Sequence, residues 1–108
     1  MTRTMAFTPN SGVAMPLRSG DLDPGVLMHL LRAQRLSVDA LDDLLSRRSG
    51  LLGISETTGD VRDLLAREAE EPRAADAIAL FCWQVRKAIG ALAASIGGLD
   101  QLVFARHP

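Results

Sequence analysis

The chain has 108 residues, of which 47% are hydrophobic and 23% charged, and its formal net charge is -1. This length allows at most one domain, which would bury roughly two-thirds of the surface that the unfolded chain exposes. The composition is typical of a soluble globular chain, not of a disordered one. The net charge is close to zero and the basic residues are scattered, which argues against nucleic acid as the main partner.

Residues 1–23 are rich in Thr, Ser, Gly and Pro, and they predict a loop. Asp23 followed by Pro24 supplies a capping oxygen and a ring already set to helical φ, so a helix should begin at Pro24. Arg18 lies in the loop that leads into this helix. An arginine in that position can bind a phosphate or can simply be solvated, and these residues alone favour the solvated alternative.

The next segments predict three helices and one turn-rich stretch. The first helix runs from Pro24 to about Arg35, and the second begins after a cap at Ser37 and ends near Gly50. Residues 51–59 have no helical period and predict turns. A third helix, capped by Asp60, extends to about residue 70 and is interrupted at Pro72.

The longest predicted helix extends from Pro72 to about Ile96 and ends at Gly97-Gly98. Its apolar residues alternate spacings of four and three, which predicts a buried seam: Ile78, Cys82, Val85, Ile89, Leu92 and Ile96. The aromatic Phe81 and Trp83 are also expected in the core. Residues 101–104 predict a short strand.

The absence of a recognisable targeting signal and the cysteine usage favour the cytoplasm. No apolar region follows Arg3, and no segment approaches the ~20 apolar residues that span a bilayer. The single cysteine, Cys82, cannot form a disulfide within the chain, which suits a reducing compartment.

Several motifs in the same order resemble the acetate kinase family. They are Phe7-Thr8-Pro9, Arg18-Ser19-Gly20-Asp21-Leu22-Asp23-Pro24-Gly25, Arg48-Ser49-Gly50-Leu51-Leu52-Gly53-Ile54-Ser55, Gly59-Asp60-Val61-Arg62-Asp63-Leu64-Leu65, Gly98-Leu99-Asp100 and Leu102-Val103-Phe104. The resemblance extends from about Thr4 to Phe104 and corresponds to a middle stretch of the family's longer sequence.

The resemblance implies a partial C-terminal lobe of an actin-like, sugar-kinase (ribonuclease H-like) α/β fold. This part of the fold is expected to be mainly α-helical, with one or two short strands. Residues 1–108 would form one partial domain, made of a loop over 1–23, a helical region over 24–98, a strand near 101–104 and a divergent tail over 105–108.

The resemblance also implies an activity, the ATP-dependent phosphorylation of acetate or a related short carboxylate. ATP and Mg²⁺ are the implied cofactors, although the family's metal ligands have no counterpart in this sequence, and the complete family member would be a homodimer. Because the family's site is assembled from two lobes, the isolated chain is expected to be inactive. The alternatives are a small helical interaction module without catalysis and the remnant of a truncated gene.

The site residues are carried over from the matching motifs. Arg18 resembles the arginine that stabilises the phosphoryl group during transfer. Asp60, Val61 and Arg62 resemble the family's adenosine-binding tripeptide, although Asp60 is also a plausible helix cap and Arg62 a plausible solvated residue. Before Arg18 the family usually has glycine and threonine, whereas this chain has Pro16-Leu17, which removes an amide donor and a hydroxyl.

The remaining polar residues predict structural roles. Asp21 and Asp23 are two residues apart, a spacing that suits capping of a turn and a helix. His29 has no second histidine or cysteine at ligand spacing, so the sequence predicts no metal site there. The sequence contains no Walker phosphate loop, nucleophile elbow or zinc pattern.

Overall fold

The structure, a computed structural model, describes residues 7–105. The predictions for residues 1–6 and for 106–108, which include most of the divergent tail, lie outside the described residues. Over 7–105 the chain forms five α-helices and no strand. In chain order the helices are α1 (Pro24–Arg32), α2 (Val38–Arg47), α3 (Gly50–Ser55), α4 (Val61–Arg67) and α5 (Pro72–Ser95).

Side chains cap the starts of α1, α2 and α4, which confirms the predicted caps at Asp23, Ser37 and Asp60. A carboxylate oxygen of Asp23 accepts a hydrogen bond from the Gly25 amide at 2.8 Å. The Ser37 hydroxyl accepts from the Ala40 amide at 3.1 Å. Each cap satisfies an amide that has no partner within the first helical turn. The first helix ends at Arg32 and not near Arg35, because Arg35 adopts a left-handed φ of 52°.

Helix α3 corrects the prediction of turns over residues 51–59. It spans Gly50–Ser55, and no side chain caps its start. Instead, the amides of Leu51 and Leu52 donate to the carbonyls of Met15 and Pro16, both at 3.0 Å. A distant loop thus satisfies donors that a local cap would normally satisfy, which is why the local sequence carries no start signal.

The core lies where α3 and α4 pack against α5. Its buried side chains are Leu51 from α3, Leu64 from α4, and Ala74, Ala77 and Ile78 from α5. Ile54, Val61 and Phe81 pack against this cluster and are partly buried. Helices α1 and α2 contact each other, and no residue of either is fully buried. The core is small and is formed mainly by three helices.

The predicted seam of α5 is wrong for three of its six members, and Val85 and Ile89 are only half-buried. Only Ile78 is buried, whereas Leu92 and Ile96 are 45% and 59% exposed and Cys82 is exposed. The buried residues of α5 all lie in its first half, where α3 and α4 cover it, and two of them are alanines. The seam has the right period, but α3 and α4 cover only its start, and Leu92 and Ile96 at its end stay exposed.

Trp83 is likewise outside the core, contrary to prediction, and is 56% exposed. The Lys87 ammonium lies 4.2 Å from the centre of its ring, a cation–π contact between residues one helical turn apart. Phe81, the other aromatic residue predicted in the core, packs against the core and is partly buried.

The strand predicted near residues 101–104 is not formed in the described part of the chain. Leu102, Val103 and Phe104 are 46%, 74% and 78% exposed, and residues 101–105 have no ladder partner. A strand needs a neighbouring strand for its backbone hydrogen bonds. The sequence pattern is suited to a strand, but no partner lies among residues 7–105.

By length and composition alone, α5 is a candidate membrane span, although the sequence analysis predicted none. One such helix is weak evidence, because the core helices of soluble proteins meet the same criterion. Arg86 and Lys87 lie within its second half.

Gly90→Ala should stabilise the chain. Gly90 is an exposed position inside α5, and an added Cβ would meet no atom within 4 Å. Replacing glycine by alanine inside a helix is worth roughly 0.5–1 kcal/mol. Denaturant unfolding followed by circular dichroism should show this increase in the free energy of unfolding. Gly97→Ala is the matched control and should lower the free energy of unfolding, since Gly97 also has free space around it but has a φ of +82°. A loss of stability in Gly90→Ala would contradict the prediction.

Candidate functional site

Backbone hydrogen bonds hold the residues directly before and after Arg18 in its loop. The Leu17 carbonyl accepts from the Ser49 amide at 2.9 Å, and the Ser19 amide donates to the Leu45 carbonyl at 3.0 Å. Within the loop, the Met15 amide donates to the Arg18 carbonyl at 3.1 Å. Together with the bonds from α3 described above, these contacts fix the backbone of residues 15–19 before any ligand binds. Arg18 is exposed on this fixed loop.

The substitution by Pro16 and Leu17 is compatible with this arrangement. The hydrogen bonds that tie these two residues to α3 and to Ser49 use their carbonyl oxygens, which proline retains. The missing amide of Pro16 therefore breaks none of them.

Two glycines allow the close approach of the loop to the following helices. A Cβ on Gly50, whose φ is +63°, would clash with the Met15 carbonyl oxygen and lie 2.6 Å from that of Arg18. A Cβ on Gly59, the residue before Asp60, would clash with the Pro16 carbonyl oxygen. The Arg18 loop thus packs directly on the start of α3 and beside the start of α4.

A third attachment joins the preceding turn to the fold. One Asp21 carboxylate oxygen accepts from the Gly12 amide at 2.6 Å, and the Asp21 amide donates to the Gly12 carbonyl at 2.8 Å. The buried Ala14 donates its amide to the side-chain oxygen of Gln84 on α5 at 2.7 Å. The structural roles predicted for Asp21 and Asp23 are therefore confirmed.

Arg18 lines an open cavity of about 650 Å³, a size within the ~300–1,000 Å³ range of small-molecule pockets. Its walls come from the turn at residues 8–10, from the Arg18 loop and from the second half of α2. The lining residues are Thr8, Pro9, Asn10, Met15, Pro16, Leu17, Arg18, Asp42, Ser46 and Arg47. The cavity combines an apolar wall with hydroxyl, amide and guanidinium donors.

A hydrogen-bond relay holds the turn at residues 8–10 against α2. The Asn10 side-chain amide donates to the Ser46 hydroxyl at 3.0 Å, and that hydroxyl donates to an Asp42 carboxylate oxygen at 3.1 Å. The sequence analysis missed these residues and Arg47 as cavity residues. Asn10 and Ser46 are 36 positions apart, and nothing in the sequence signals that they meet.

Arg18 is available to an anion, although the Asp42 carboxylate also lines the cavity, where it accepts a hydrogen bond from Ser46. Asp43 lies 3.1 Å from Arg47 and 2.8 Å from Arg48, and both pairs are exposed. Exposed pairs of this kind are worth at most ~1 kcal/mol, so they restrain Arg47 only weakly. No carboxylate among residues 7–105 forms an ion pair with Arg18.

Each residue of the predicted adenosine tripeptide has a structural contact. A carboxylate oxygen of Asp60 accepts from the Arg62 amide at 2.8 Å and caps α4. Val61 packs against the core, and the Arg62 side chain is exposed. None of the three lines the Arg18 cavity, but Gly59 brings the start of α4 against Pro16.

Residues 7–105 contain no group of three or more His, Cys, Asp or Glu side chains placed to hold a metal ion.

Solved structures share this arrangement of helices. Porphyromonas gingivalis acetate kinase matches with a TM-score of 0.82 and 37% identity, over 86% of this chain and 24% of that one. A propionate kinase from Francisella tularensis matches with a TM-score of 0.76 and 32% identity, over 81% of this chain and 23% of that one. The helices are thus one part of the actin-like fold of these carboxylate kinases, as the family resemblance implied.

The sequence comparisons agree with the structural ones. Acetate kinase from Rhodopseudomonas palustris strain TIE-1 is 46% identical over 101 residues, covering 94% of this chain and 25% of the relative. The model of the acetokinase family matches residues 1–106, and the chain belongs to that family. It spans about a quarter of the length of the curated relatives that it matches.

Proposed function

We propose that this chain contributes the phosphoryl-binding arginine of an ATP-dependent carboxylate kinase, which phosphorylates acetate or a related short carboxylate. The supporting observation is that Arg18 lies on a backbone already fixed by α3 and α2, at the edge of a cavity, without an ion-pair partner among residues 7–105. Phosphoryl transfer depends mainly on positioning and charge neutralisation, and a fixed guanidinium supplies both.

In this proposal Arg18 donates N–H groups to the oxygens of the transferred phosphoryl group. The planar fork of arginine matches two such oxygens at once. The loop does not have to rearrange when the charge develops, because its carbonyls and amides are already hydrogen-bonded. The apolar wall beside Arg18 would contact the carbon chain of the carboxylate.

Asp60, Val61 and Arg62 are proposed to contact the adenosine of ATP, with the Asp60 carboxylate accepting nucleoside hydrogen bonds and the Arg62 guanidinium lying against the purine. Support comes from the exposure of Asp60 and Arg62 and from the position of α4 beside the Arg18 loop through Gly59 and Pro16. Turnover would need the parts of the fold that supply the second lobe. The chain by itself is therefore expected to form no measurable acyl phosphate.

Arg18→Ala should weaken the binding of inorganic phosphate or acetyl phosphate by about 10-fold or more, because a hydrogen bond to a charged group contributes roughly 1.5–3 kcal/mol. The measurement is a titration of the full chain followed by the NMR shifts of the amides of residues 17–20. Arg18→Lys keeps the positive charge but loses the planar fork, so its affinity for phosphate should lie between those of the wild type and Arg18→Ala.

Arg32→Ala is the matched control. Arg32 is an exposed arginine at the end of α1 that does not line the cavity, so its loss should leave phosphate binding unchanged. Equal binding by wild type and Arg18→Ala, or acyl phosphate formation that is insensitive to Arg18→Ala, would contradict the proposed role.

A further inference from the structure

Three consecutive apolar residues precede Arg18 and form one wall of its cavity: Met15, Pro16 and Leu17. Met15 and Leu17 are 45% and 43% exposed, so much of their apolar surface remains for a ligand to cover. Leu17 and Arg18 line the same cavity, so a carboxylate bound with its charged end near Arg18 can place its carbon chain against Leu17.

This wall is preformed. The carbonyls of Met15, Pro16 and Leu17 accept hydrogen bonds from Leu51, Leu52 and Ser49 at 3.0, 3.0 and 2.9 Å. Fixing the backbone at all three positions fixes the direction in which each side chain leaves it. A ligand that covers this wall would therefore not have to order the loop first.

The cavity volume does not restrict the ligand to two carbons. About 650 Å³ of open space adjoins Arg18. Pockets of ~300–1,000 Å³ accommodate drug-sized molecules, so this space can accommodate a longer acid. Every methylene that moves from water onto an apolar surface adds favourable free energy, up to about a fourfold gain in affinity when it is fully covered. An apolar wall beside the Arg18 guanidinium thus favours an anion with a longer apolar chain.

We infer that Met15, Pro16 and Leu17 select the chain length of the carboxylate and favour acids of four or more carbons over acetate. The inference rests on the proposed function, because Arg18, which would bind the transferred phosphoryl group, is taken to lie beside the carboxylate that receives this group. Leu17 acts here as a residue that determines specificity, and it takes no part in the transfer itself.

The test is a titration of the isotopically labelled full chain with acetate, propionate, butyrate and hexanoate, followed by the NMR shifts of residues 15–20. Affinity should rise along the series by about two- to fourfold for each methylene. Leu17→Asn, a polar residue of similar size, should reduce this increment, and Leu17→Met should keep it. The partial exposure of Leu17 means that both variants should fold.

The possible results separate the inference from the proposed function. Equal affinities for all four acids, with shifts that disappear in Arg18→Ala, would overturn the inference and leave the proposed function standing. Chain-length dependence that persists unchanged in Leu17→Asn would also overturn it, and shifts along the apolar groove of Phe81, Val85 and Ile89 on α5 would show where the longer acids bind. If neither phosphate nor any carboxylate shifts residues 15–20, both proposals are wrong.

Discussion

Gly50→Ala is expected to remove most of the stability of the chain and to abolish its cooperative unfolding transition. Gly50 starts α3 with a φ of +63°, and an added Cβ would clash with the Met15 carbonyl oxygen and lie 2.6 Å from that of Arg18. Both neighbours are backbone atoms, so neither can turn away as the end of a side chain could. The Arg18 loop and α3 would have to separate.

Two separate costs combine in this variant. A non-glycine residue in the left-handed region costs about 1–2 kcal/mol. Separation of the loop from α3 would also break the bonds from Leu51 and Leu52 to the carbonyls of Met15 and Pro16, each worth roughly 1 kcal/mol and more if a buried partner stays unsatisfied. The total of about 3–5 kcal/mol approaches the whole stability of many small domains.

Two glycine variants distinguish these costs. Gly97 has a φ of +82° and free space, so Gly97→Ala should show only the backbone cost. Gly53 lies inside α3 without a positive φ, and a Cβ there would lie an ordinary 3.5 Å from the Arg48 carbonyl oxygen, so Gly53→Ala should be tolerated. Denaturant unfolding of the three variants by circular dichroism provides the comparison. If Gly50→Ala lost no more stability than Gly97→Ala, the contact with the Arg18 loop would be refuted.

Helix starts were predictable where the signal is local. Asp23, Ser37 and Asp60 each cap a helix through an amide two or three residues away, and Pro72 occupies the first turn of α5. Side chains with these preferences can be recognised in a short window of sequence, because donor and acceptor lie in the same turn.

The missed features depend on contacts between distant segments. Helix α3 begins where a loop some 35 residues earlier in the chain accepts its first amides. The buried face of α5 depends on where α3 and α4 lie, so its small Ala74 and Ala77 are buried while the larger Leu92 is exposed. The strand near 101–104 would need a partner strand, and the described residues provide none. Periodicity gives the spacing of a face but not what covers it.

In the candidate site, too, one part could be predicted from a local motif and another depends on contacts between distant segments. Arg18 was recognisable from its motif, and the structure places it on a fixed loop beside a cavity. The opposite wall of the cavity, held by Asn10 and Ser46, forms only when the turn at residues 8–10 meets α2. Such a contact has no sequence signal. The role proposed for Arg18 remains a prediction that the binding measurements above test, and the role of residues 60–62 remains a prediction.

Leu64→Ala is expected to lower the free energy of unfolding by about 2–5 kcal/mol, as is typical when a buried leucine is truncated and leaves a cavity. Leu64 is fully buried, with 0% exposure, and belongs to the small cluster in which α4 meets α5. Few other large side chains are buried there, so the cluster has little capacity to compensate. Urea unfolding followed by circular dichroism should show an earlier midpoint with a similar slope.

Leu65→Ala is a control that matches in residue type, helix and position. Leu65 is 53% exposed, so its truncation should change stability by no more than about 0.5 kcal/mol. The consequence of Leu64→Ala should extend to the Arg18 loop, because α4 holds Gly59 against Pro16 and the Asp60 cap at the same end. Loosening α4 should therefore weaken phosphate binding at Arg18 even under conditions where the variant stays folded. If Leu64→Ala were destabilised but bound phosphate as tightly as Leu65→Ala, the core and the loop would be energetically independent, and the link through Gly59 and Pro16 would be wrong.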